Sequence, residues 1–153
     1  MLLPALRIAP DSEGVAGGGG SAFDPPPDLG TILVVDDDPN IRELICSVLE
    51  DDGYTVSAAA TGAEALALFD GDPGGVRAAV VDLLMPGISG EDVIRRLRMR
   101  RAGLPCVVVS GFAERELPAD VVKSGPTRLL PKPFRLEELS AAVRGITSAA
   151  PPA

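Results

Sequence analysis

Four apolar runs in this chain stop at residues able to do chemistry. Thr31 to Val35 runs into Asp36-Asp37-Asp38, Val76 to Val81 into Asp82, and Pro105 to Val109 into Ser110; Thr127 to Leu130 is soon followed by Lys132-Pro133. Short apolar runs closed by turn residues read as buried strands. A polar group at the carboxyl end of such a strand lies where open α/β sheets bind their ligands. A carboxylate can attack phosphorus and form an aspartyl phosphate. Carboxylates are also the hard oxygen ligands that Mg2+ takes, and a lysine with a hydroxyl can meet phosphoryl oxygens. Asp82 is the candidate nucleophile, because the strand before it is central and reads as the most deeply buried.

Those groups need elements that hold them at one edge. Asp38 before Pro39 fits an N-cap followed by proline at the first helical position, so Asp38 is read as a cap and not a ligand. Ile41, Leu44, Ile45, Val48 and Leu49 then recur at helical spacing until Gly53. Tyr54 to Ala58 alternates as an edge strand should. Thr61-Gly-Ala-Glu64 is a capping-box pattern opening a helix to about Phe69, and Gly71 to Gly75 is a loop. Ser89 with Asp92 opens a third helix carrying Val93, Ile94 and Leu97. Its end, Arg95 to Arg101, holds five arginines, expected as a solvated face favoured at a helix C-terminus, with a docking patch for an acidic partner as the alternative. In 112–126, Pro118 and Ser124-Gly125-Pro126 leave room for at most two helical turns. Leu136, Leu139, Val143 and Ile146 stripe the last helix. Strands alternating with helices predict βαβ units on a parallel sheet.

Composition narrows the class further. With 153 residues one domain is expected, and at 3% aromatic content without tryptophan its core must be built from Val, Leu, Ile and Ala. A net charge of −8 argues against a nucleic-acid-binding surface. Cys46 and Cys106 lack metal-like spacing and are expected as buried free thiols in a reducing compartment. No apolar run approaches the about 18 residues of a membrane span, and Met1 to Pro10 is too short and broken for a secretory signal. A cytoplasmic protein is expected. Residues 1–29, with their Gly17 to Gly20 and Pro25 to Pro27 runs, read as a flexible extension, residues 30–147 as the folded domain and 148–153 as a frayed tail.

The stretches ILVVDDDPNIREL, VVDLLMPGISG, VVVSG and LLPKPF together resemble the signatures of response-regulator receiver domains of two-component signalling, most like those of hybrid histidine kinases. LLPAL near the start is similar to the closing strand of histidine-kinase ATPase domains. The resemblance implies a flavodoxin-like (βα)5 doubly wound parallel sheet in strand order 2-1-3-4-5, which brings Asp36, Asp37 and Asp82 together. Three carboxylates so close stay ionised only around a cation. Mg2+ is thus implied, held by Asp36, Asp37, Asp82 and the Leu84 backbone carbonyl. Asp82 would accept a phosphoryl group from a histidine, with Lys132 neutralising charge and Ser110 hydrogen-bonding the phosphoryl oxygens.

The resemblance further implies a cis Lys132-Pro133 peptide, and a histidine kinase or histidine phosphotransfer domain as partner, with no nucleic acid or membrane. The protein would catalyse only its own phosphorylation and dephosphorylation. Receivers often carry an aromatic switch residue where this chain has Leu129, so a monomer that docks transiently through Ile41 to Val48 is expected. Two alternatives stand beside this reading. A haloacid-dehalogenase-type phosphatase would need a DxDxT pattern where the chain has DDDPN, and a phosphorylation-independent interaction module would not need the phosphoryl-handling residues.

Overall fold

The computed structural model describes residues 29–111 and 117–149. Five strands alternate with five helices: β1 (Thr31–Val35), α1 (Pro39–Asp51), β2 (Thr55–Ala59), α2 (Gly62–Gly71), β3 (Val76–Asp82), α3 (Gly90–Arg100), β4 (Cys106–Ser110), α4 (Ala119–Lys123), β5 (Thr127–Pro131) and α5 (Leu136–Ala149). All pairings are parallel, and the sheet order is β2-β1-β3-β4-β5. This is the expected flavodoxin-like doubly wound arrangement. Element ends depart from expectation by a residue or two, and α5 continues to Ala149. The extension over residues 1–28 lies outside the described residues, as do 112–116 and 150–153.

The side-chain alternation of the inner strands feeds two cores. Leu33, Val35, Ala79, Val81 and Val108 face one way and pack with Ala65, Phe69, Val93, Ile94, Leu97 and Val121 of α2, α3 and α4. Ile32, Val34, Val80, Val107 and Val109 face the other way, against Ile45, Leu49, Leu139 and Val143 of α1 and α5. Each fully buried Val or Leu contributes about 1.5–3 kcal/mol, so the inner strands are fixed in place on both faces. β2 and β5 are the edge strands, and in β2 only Ala59 is buried.

The predicted caps form. Asp38 Oδ1 accepts from Asn40 N–H at 2.9 Å, with Pro39 behind it. Thr61 Oγ1 accepts from Glu64 N–H at 3.1 Å, while Glu64 Oε1 reaches back to Ala60 N–H at 2.8 Å, one residue earlier than the usual box. Ser89 Oγ accepts from Asp92 N–H at 3.2 Å.

The arginine stripe is a solvated face, as expected, except at Arg98: Arg96 and Arg100 are exposed and Arg95 and Arg101 partly so. Arg98 is 6% exposed and donates to backbone and hydroxyl oxygens. Arg95 pairs with Asp92 and Asp120, and Arg100 with Asp70. Helical phase explains this. Arg98 lies on the same face as Ile94 and one position from Leu97, so its stem enters the packed side of α3. Of the two cysteines, Cys106 is buried, whereas Cys46 is only half-buried.

Candidate functional site

Strand register brings the chemistry-bearing residues to one edge. Val35 of β1 pairs with Val81 of β3, so Asp36 emerges level with Asp82. Asp82 pairs with Val109, and Ser110 with Pro131, which sets Ser110 and Lys132 at the same edge. The Ser110 carbonyl accepts from Lys132 N–H at 2.7 Å, and Lys132-Pro133 is cis.

The carboxylates have different surroundings. Asp36 is 1% exposed; its Oδ1 accepts from Asp38 N–H at 2.9 Å, and its carbonyl accepts from Arg42 Nη1 at 2.8 Å. Its Oδ2 is buried with no hydrogen-bond partner among the described residues and lies 3.8 Å from Lys132 Nζ. Asp82 is also buried. Its Oδ1 lies 3.7 Å from Lys132 Nζ and 3.3 Å from Leu84 N–H. Asp37 is exposed, yet one carboxylate oxygen from each of Asp36, Asp37 and Asp82 falls within 4.8 Å of the others.

Burial and mutual repulsion act on this group. The Asp82 carboxyl is pushed up to about 6, first by burial and then by the neighbouring Asp36 charge, with Lys132 opposing. Burial likewise raises Asp36 above the usual carboxylate range. Clustered oxygen donors that include an orphaned buried oxygen fit a hard divalent cation, which would satisfy that oxygen and relieve the repulsion.

Ser110 is fully buried at the end of β4. Leu84 shows its side chain to solvent, at 45% exposure, so any contribution to the site comes through its backbone.

Residues 32–144 match the family model described as the response regulator receiver domain. The chain belongs to this family. It is a receiver domain of the two-component type, which decides between the reading by resemblance and the phosphatase alternative. It is 39% identical over 118 residues to sensor kinase CckA of Brucella abortus, covering 74% of this chain and 12% of that protein. It is 41% identical over 118 residues to response regulator MprA of Mycobacterium ulcerans, covering 75% of this chain and 49% of that protein. The chain thus spans half or less of these relatives, one a sensor kinase and the other a response regulator. Among solved structures it resembles a receiver domain protein from Clostridium thermocellum, with TM-score 0.72 and 27% identity over 78% of this chain and 94% of that one. Chemotaxis protein CheY4 of Vibrio cholerae matches at TM-score 0.68 and 28% identity, covering 76% and 98%.

Two supporting residues escaped the sequence reading. Arg42 carries no mark of its role in the sequence, and only the chain path shows it fastened to the Asp36 carbonyl. Gly90 was read as part of a cap, although a β-carbon there would sit 2.3 Å from the Asp82 carbonyl oxygen. The Ser89-Gly90 pair at a helix start was the available signal.

Proposed function

We propose that this receiver domain accepts a phosphoryl group on Asp82 from a phosphohistidine, with Mg2+ held by Asp36, Asp37, Asp82 and the Leu84 carbonyl. The observation that carries the reading is Asp82 itself, a buried strand-end carboxylate between two other carboxylates and the Lys132 ammonium. With its pKa near 6, Asp82 is mostly ionised at neutral pH and able to attack. An Asp82 carboxylate oxygen forms the new P–O bond as the donor's P–N bond breaks, and the departing imidazole nitrogen keeps the electron pair and takes up a proton. Phosphoryl transfer asks mainly for positioning and charge neutralisation. Lys132 supplies a fixed positive charge beside the nucleophile, and Ser110 is the hydroxyl assigned to the phosphoryl oxygens. The bound cation would offset the charge on the phosphoryl group and the carboxylates.

The partner in this reading is a histidine kinase or a histidine phosphotransfer domain. Docking uses α1 around Ile41 to Val48, where Leu44 is 40% exposed, with Gly111 giving access. The reading takes the domain to work in the cytoplasm, where ATP feeds such kinases, and as a monomer. No helix among the described residues is long and apolar enough to cross a membrane. The protein's own turnover is limited to gaining and losing its phosphoryl group.

Intact-mass measurement with a small phosphodonor and Mg2+ tests the assignment. One phosphoryl adduct is expected on the wild type and none on Asp82→Asn. An undiminished adduct on the variant would sink it.

A further inference from the structure

Arg98 is a buried cation whose five acceptors are three carbonyls and two hydroxyls. An arginine has five N–H donors, and Arg98 uses them all. Nε donates to Leu104 O at 3.0 Å, Nη1 to Val121 O and to Ser124 Oγ at 2.9 Å, and Nη2 to Pro126 O at 2.6 Å and Thr127 Oγ1 at 3.0 Å. One guanidinium therefore joins the end of α3 to the chain entering β4, to the end of α4 and to the start of β5. The seat is shaped for it. A β-carbon on Gly125 would lie 2.9 Å from Arg98 Nε and 3.0 Å from Gly103 Cα.

The helix held this way has little of its own. α4 has five residues, buries only Val121, and has no side-chain cap at Pro118. A helix so short does not persist without tertiary support. The positive guanidinium also meets Val121 O near the negative end of α4, a favourable pairing with the helix dipole. Arg95 holds Asp120 from outside at 2.7 Å, but both side chains there are exposed, so salt screens that pair.

We propose that Arg98 is a latch that fixes the C-terminal end of α4 and the start of β5 to α3. This fixed end lies at the sheet edge opposite Asp82 and stays still when the charge at Asp82 changes. The latch follows from the five hydrogen bonds and the Gly125 seat; its stillness on activation rests on the phosphoacceptor reading. Rearrangement around Ser110 then does not pass into the start of β5.

Hydrogen exchange read by mass spectrometry tests both halves on the whole chain, with wild type, Arg98→Met and Gly125→Ala, each with and without Mg2+ and beryllofluoride. Losing the latch should speed exchange over residues 119–128 by about tenfold while α1 and α5 keep their protection. Gly125→Ala should shift the same peptides in the same direction by less. In the wild type, beryllofluoride should protect residues 82–90 and leave 119–128 unchanged. Unchanged exchange in Arg98→Met would overturn the latch, and so would acceleration spread evenly over the sheet, because that marks only general stability. A beryllofluoride response within 119–128 of the wild type would overturn the fixed end. Should Arg98→Met not fold, Gly125→Ala decides by the same peptides. Should residues 82–90 ignore beryllofluoride, the phosphoacceptor reading falls, and the unliganded comparison still decides the latch.

Discussion

Gly90 packs against the main chain of Asp82 so closely that a β-carbon would sit 2.3 Å from the Asp82 carbonyl oxygen and 2.7 Å from Leu83 Cα. Its N–H also donates to the Leu83 carbonyl at 3.1 Å. The start of α3 and the end of β3 are thus in backbone contact, and the position of the candidate nucleophile depends on a missing side chain.

Gly90→Ala should therefore do two things at once. Overpacking against backbone costs about 1–3 kcal/mol, readable as a lowered urea midpoint. The proposed phosphorylation of Asp82 should slow as well, because the strand end must shift to admit the methyl group. A variant as stable and as quickly phosphorylated as the wild type would contradict the contact.

The raised carboxyls make a prediction about pH for the metal-free protein. Asp82 titrates near 6 when folded and near its ordinary 3.8 when unfolded. Between those values the folded chain binds more protons, so this group's contribution to stability falls as pH rises. The stability of wild type relative to Asp82→Asn should drop by on the order of 2 kcal/mol from about pH 4 to about pH 7 in EDTA. Mg2+ should restore much of the loss at neutral pH. Denaturant titrations at several pH values would show it, and a difference that grows with pH would be the wrong sign.

The strands and the site's residue types were legible because each inner strand is continuously apolar and ends on its functional group. Strand order was not legible from local pattern, since nothing in Thr31–Val35 or Val76–Asp82 says which neighbour each will take. That came from the resemblance. Arg98 was misread for a related reason. Among five clustered arginines, residue type gives no sign of which one turns inward; helical phase puts Arg98 on the face of Ile94, and the bare Gly125 backbone leaves room for its guanidinium.

Asp37 differs from its two neighbours in being exposed, yet its charge adds to the forces raising Asp82. Removing it should ease repulsion in the metal-free state and take away one of the proposed metal ligands. Asp37→Asn is expected to melt about 2–4 °C higher than wild type without metal, and to gain less on adding Mg2+. A variant that melts lower and responds fully to Mg2+ would take Asp37 out of the metal site.

Leu129 is half-buried in β5 and packs against the core shared by α2, α3 and α4. An aromatic ring with a polar handle can exchange between buried and wet positions, because one end is apolar and the other hydrates. Leucine has no such second position, so moving it outward only exposes apolar surface. The chain just before it is also tied down, with Pro126 O and Thr127 Oγ1 both bonded to Arg98. Leu129 is therefore not a side chain that can report phosphorylation by changing place. We predict that the protein stays monomeric when activated and signals by transient docking of a histidine-bearing helix pair beside Asp82. Sedimentation velocity at micromolar concentration, with and without beryllofluoride and Mg2+, should give one unchanged monomer peak. A shift to dimer would show that this face responds despite Leu129, and Leu129→Tyr should then strengthen the shift.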